Sequence, residues 1–178
     1  MGRVGSVEAH VGAAPEAVFA VITDPVGLPR WNRHIARTLD HPTHLEEGAE
    51  WVVQMHIYGQ RFPSRSRVLT LDAEARRFEY QSSPDGDPDF SIWSWEVAPD
   101  GIGSRVRVTW DLNPKQFLNR MFFAPLRARG LPRDVAASLT SLEKFVTTLE
   151  HARLRSPKRR VARGGLDREE AGESLTPG

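Results

Sequence analysis

From Glu50 to Tyr58, Trp51, Val53, Met55 and Ile57 alternate with Val52, Gln54, His56 and Tyr58. This period of two predicts a strand with one apolar and one mixed face. The same period recurs over Ser104–Leu112, where Val106, Val108, Trp110 and Leu112 share a face. With Phe90–Val97 and the turn residues Pro99, Asp100 and Gly101, it predicts a closing hairpin. Ser6–Val11, Ile35–Leu45, Arg65–Asp72 and Arg77–Ser83 read as further strands, the second interrupted around Pro42.

Two segments follow a helical period instead. After the first strand, Pro15 suits a first helical position because its missing N–H would have no partner there, and Val18, Val21 and Ile22 then fall on one face. Asp24-Pro25 ends that helix, since proline disfavours the helical conformation in the residue before it. Beyond Pro114, Phe117, Met121, Phe122 and Leu126 form a short apolar segment, and a long helix is predicted from near Pro132. Its Val135, Leu139, Leu142, Val146 and Leu149 recur at spacings of three and four. Twenty such residues would run about 30 Å, enough to cross a sheet.

The run Ala14-Pro15-Glu16 to Asp24-Pro25, followed by Leu28-Pro29-Arg30-Trp31-Asn32, resembles the SRPBCC superfamily of START and Bet v 1-like proteins, particularly its polyketide cyclase/dehydrase-like branch. The order of elements over Ser6–Arg153 strengthens the resemblance. It implies an α+β helix-grip fold: a curved antiparallel sheet wrapped around a long C-terminal helix, with two short helices after the first strand. It also implies that Phe117, Met121 and Phe122 form a rim over a cavity mouth.

At 178 residues, 39% of them hydrophobic, the chain has material for one sizeable core. The expected division is a domain over residues 1–154 and a charged tail over 155–178, in which Arg155-Ser156-Pro157-Lys158-Arg159-Arg160 precedes Asp167-Arg168-Glu169-Glu170. That tail has too little apolar content to offset the entropy of ordering, so disorder is expected. A net charge of +1, and a basic run without interleaved aromatics, give no reason to expect a nucleic-acid partner. The absence of cysteine excludes disulfides, thiolate nucleophiles and cysteine-ligated metals. No stretch approaches the length of a membrane span and no secretory leader is apparent, so a cytoplasmic protein is expected.

Chemistry-bearing motifs are sparse. The sequence has no G-x-S-x-G, H-E-x-x-H, P-loop or dinucleotide fingerprint, and no cofactor is expected. His41 and His44 flank Pro42, which argues against a helix that would bring both rings to one metal. A sheet curved around a helix can leave apolar space between them, and a hydrophobic small molecule is the expected partner. Candidate lining residues are Trp31, Trp51, Met55, Trp95, Trp110, Phe117, Met121, Phe122, Leu139 and Leu142, with core packing the commoner role for a tryptophan and a satellite core the alternative for Phe117, Met121 and Phe122. Tyr58, Arg67 and Tyr80 are the candidate polar groups, with His56, Glu96 and Asp111 weighed beside them. Strand alternation turns His56 and Asp111 away from the apolar face. The expected role is binding of a lipid, polyketide or aromatic metabolite. The alternatives are a metal-independent aromatase/cyclase or dehydratase, which would need an inward cation such as Arg67 to hold an enolate, and an interaction scaffold without a ligand.

Overall fold

The computed structural model describes residues 4–57, 59–115 and 124–155, with side chains in the last segment from Arg129 onward. Strand β1 (Val4–Val11) leads into helix α1 (Pro15–Ile22) and a single 3₁₀ turn, Leu28–Arg30. Strands β2 (Ile35–Asp40), β3 (Glu50–Ile57), β4 (Gln60–Asp72), β5 (Arg77–Pro84), β6 (Phe90–Asp100) and β7 (Gly103–Asn113) follow, and helix α2 (Ala124–Arg155) closes the domain. The seven strands form one curved antiparallel sheet in the order β1-β7-β6-β5-β4-β3-β2. This is the α+β helix-grip architecture.

Alternation places the core on one face of the sheet. In β7, Ser104, Val106, Val108, Trp110 and Leu112 are buried while Arg105 and Arg107 are exposed. Glu8 of β1 pairs with both arginines on the outer face, at 3.8 and 3.1 Å. These exposed ion pairs add little to stability. The β6–β7 hairpin turns tightly at Gly101-Ile102, where Gly101 has φ +60°. Both strands therefore run further toward the turn than the alternation alone predicts. At the other end, Trp110 lies flat against Gly5 of β1, where an added Cβ would come within 2.5 Å of the indole ring. A side chain at position 5 would thus displace Trp110.

Helix α2 buries Leu131, Val135, Leu139, Leu142 and Val146 and lies closest to β1 and α1. Fully burying such a side chain contributes about 1.5–3 kcal/mol. The helix starts at Ala124, upstream of the expected start, so Pro132 sits inside it. An interior proline removes one backbone hydrogen bond and crowds the carbonyl four residues earlier. Propagation on either side, anchored by Leu131 and Val135, carries the helix through it.

Candidate functional site

The concave sheet face has two unlike ends. At the end covered by α1 and the 3₁₀ turn, Trp31, Trp51, Phe78 and Trp95 are all buried. Trp31 meets Trp95 edge to face, with ring centroids 5.7 Å apart and planes at 81°. Trp51 makes a similar contact with Tyr80 at 5.1 Å and stacks near Phe78 at 6.1 Å. The space left among these rings is only ≈ 10 Å³. That is room for about one water molecule.

Two donors at this end have no partner: the buried indole N–H groups of Trp31 and Trp95. Leaving a buried donor unsatisfied costs about 1–3 kcal/mol. Tyr80 keeps some exposed surface, but its hydroxyl lies deep, and burial pushes the phenol up to about 12. The Trp95 indole is near enough to oppose that shift slightly, although it forms no hydrogen bond of normal geometry. Tyr80 is therefore a neutral hydroxyl throughout the physiological range.

The opposite end is looser and more polar. Met55, Phe62, Ser82 and Trp93 share the concave face yet remain only partly buried. Ser64 and Ser66 of β4, Ser82 of β5 and Ser91 of β6 form a strip across three adjacent strands. Ser64 Oγ lies 3.0 Å from Ser82 Oγ and donates to the Ser83 carbonyl at 3.1 Å. The Trp93 indole donates to Ser91 Oγ at 2.9 Å, and Trp93 packs against Trp110 with centroids 6.0 Å apart. Nothing in the sequence reading singled out these serines. The available signal was Arg61, Arg65 and Arg67: exposed arginines at odd-numbered positions of β4 turn the even-numbered Ser64 and Ser66 inward.

The same register corrects the placement of Arg67. It is exposed on the convex face between buried Ser66 and Val68, so it cannot act as a cavity cation. His56 is likewise exposed, and Asp111 falls on the opposite face from Trp110. Trp31, Trp51, Trp95, Trp110, Leu139 and Leu142 are all packed in the core, and Met55 stands at the looser end. Tyr58, Phe117, Met121 and Phe122 lie outside the described residues, as does the tail from residue 156. His41 is exposed, its ring nitrogen 3.1 Å from the Pro42 carbonyl. Among the described residues no group of three His, Cys, Asp or Glu side chains could hold a metal ion.

A second opening, of ≈ 270 Å³, lies between α1 and α2. Ala17, Val21 and Phe145 give it an apolar floor, but Asp24, Arg30, Glu150 and Arg153 line it with charges of both signs. Arg30 sits over the Phe145 ring at 5.8 Å. No described helix is long and apolar enough to cross a membrane.

Solved structures with this geometry span several organisms. A Thermus thermophilus protein, TTHA0849, is 21% identical, with a TM-score of 0.67 over 82% of this chain and 98% of its own. The Zhui aromatase/cyclase of Streptomyces sp. R1128 is 17% identical, with a TM-score of 0.65 over 86% of this chain and 96% of its own. A START superfamily protein from Mycobacterium smegmatis is also 17% identical, with a TM-score of 0.64 over 82% and 98%. At such identities the likeness is one of fold. No curated protein sequence matches the chain. The model of a family described as polyketide cyclase/dehydrase and lipid transport matches residues 4–147, nearly the whole of the described fold, and the chain therefore belongs to that family, within the SRPBCC superfamily of START-like proteins.

Proposed function

We propose that the chain binds an apolar small molecule on the concave face, at the end where Met55, Phe62 and Trp93 keep exposed surface. That residual exposure carries the reading. Concave-facing apolar side chains that are not packed against protein gain free energy when a ligand removes them from water. The family's description, which joins cyclase chemistry to lipid transport, fits a fold that encloses apolar molecules. Binding is favoured over catalysis because no described cation faces inward to hold an enolate, Arg67 being on the convex side.

Titration with a neutral naphthalene probe tests the proposal. Saturable uptake is expected, with a change in tryptophan emission as water leaves the face beside Trp93. Trp93→Ala should weaken uptake several-fold, whereas His41→Ala, at an exposed site just past the end of β2, should not change it. Linear, unsaturable uptake that ignores Trp93→Ala would remove the binding reading.

A further inference from the structure

Among the described residues, the polar side chains that the concave strands turn inward carry no charge. Ser64 and Ser66 are 5% and 3% exposed and Ser91 7%, so these hydroxyls belong to the interior. Deeper along the same face stand the Tyr80 hydroxyl and the unpartnered indole N–H of Trp95, with that of Trp31 packed against it from the end of the 3₁₀ turn. Strand alternation sends the arginines of β4 outward. Among the described residues the only buried charged side chain is Asp89, just before β6, and it accepts a hydrogen bond from the Lys115 backbone N–H. Such a face can satisfy oxygen atoms but cannot neutralise a carboxylate or phosphate. A desolvated anion without a cation is strongly disfavoured, whereas a carbonyl or hydroxyl exchanges its water contacts for hydrogen bonds.

Resting on the binding proposal above, we propose that the concave face selects neutral, carbonyl- or hydroxyl-bearing apolar molecules over anionic amphiphiles, with Ser66 and Ser91 as specificity-determining residues. Ser66 is the informative member of the strip. It is buried, shares its face with Ser64, and makes no hydrogen bond to another described residue, so its hydroxyl is available to a ligand. Ser91 already accepts from Trp93 and donates to the Ser82 carbonyl at 3.4 Å, a long bond that a better-placed ligand oxygen could replace.

Equilibrium dialysis of the full chain with 2-acetylnaphthalene, 2-ethylnaphthalene and 2-naphthoate tests the idea, because the three share a ring and nearly a size. The ketone should bind several-fold more tightly than the hydrocarbon and at least about tenfold more tightly than the carboxylate. Ser66→Ala with Ser91→Ala should erase the ketone's advantage over the hydrocarbon. Ser66→Ala alone removes no hydrogen bond within the described protein, and should reduce that advantage in part even if the double variant fails to fold. Equal binding of ketone and hydrocarbon, or tighter binding of naphthoate, overturns the selection while leaving apolar binding intact. Failure of all three probes to saturate removes the binding proposal and this inference with it.

Discussion

Leu142 has no exposed surface and lies in the middle of the α2 stripe, whereas Thr147 is off the stripe and bonds its own helix, donating to the Glu143 carbonyl at 2.8 Å. Leu142→Ala should therefore cost about 2–5 kcal/mol and Thr147→Ala under about 1 kcal/mol, read from denaturant midpoints at unchanged slope. Equal small losses would put the helix in a different phase. Tyr80 makes a separate demand. Its folded pKa, about 12, lies above the ordinary phenol value, so folding favours the protonated form. Its contribution is complete below about pH 10 and is lost as pH rises toward 12, with a slope of at most about 1.4 kcal/mol per pH unit. The phenolate absorbance of a Tyr58→Phe variant should accordingly appear late in the folded protein and near pH 10 in denaturant. Identical titrations in the two states would contradict the burial of the hydroxyl.

Period-two patterning made β6 and β7 legible because each buries one face only, and β3 was legible from the same alternation although Val52, off its inward face, is buried too; the α2 stripe was legible for the corresponding helical reason. Element ends were harder. The β6–β7 hairpin gained residues on both sides because ladder bonds reach right up to Gly101, and α2 runs through Pro132 despite the local penalty. Pro132 is exposed, so its replacement disturbs no packing. Pro132→Ala should raise stability by about 1–3 kcal/mol through the restored N–H and the relieved clash, less the greater freedom of the unfolded chain. A lower thermal midpoint would mean that the proline instead sets a bend that the packing needs. The candidate site was less legible than the fold. The tryptophans stood out by size, but three of those four on the concave strands proved to be core, while Ser64, Ser66 and Ser91 resemble ordinary surface residues until the flanking arginines fix their direction.

At the scale of the whole molecule, the family match ends at residue 147, and α2 is exposed over its last five residues, His151–Arg155. With the charge-rich composition that follows, this predicts that the domain is complete without residues 156–178. Truncation after Arg155 should leave the thermal midpoint within a few degrees. A cooperative collapse would show that the tail contributes to the core.

The sheet order has a consequence for how the chain is made. Every neighbouring pair in the ladder is close in sequence except one: β1 pairs with β7, and Glu8 meets Arg107 across 99 residues. During synthesis, β1 must therefore wait for nearly the whole sheet to leave the ribosome, and the hairpins from β2 to β7 form with one long edge still open. That edge presents backbone groups beside Val106, Val108 and Trp110 until β1 arrives, the kind of template on which unfinished chains associate. Folding should be paced by this last, most distant pairing, because its loop-closure entropy must be met before its contacts form. Early docking of α1, carried on the same N-terminal segment, would then protect the nascent chain as well as cover the finished core.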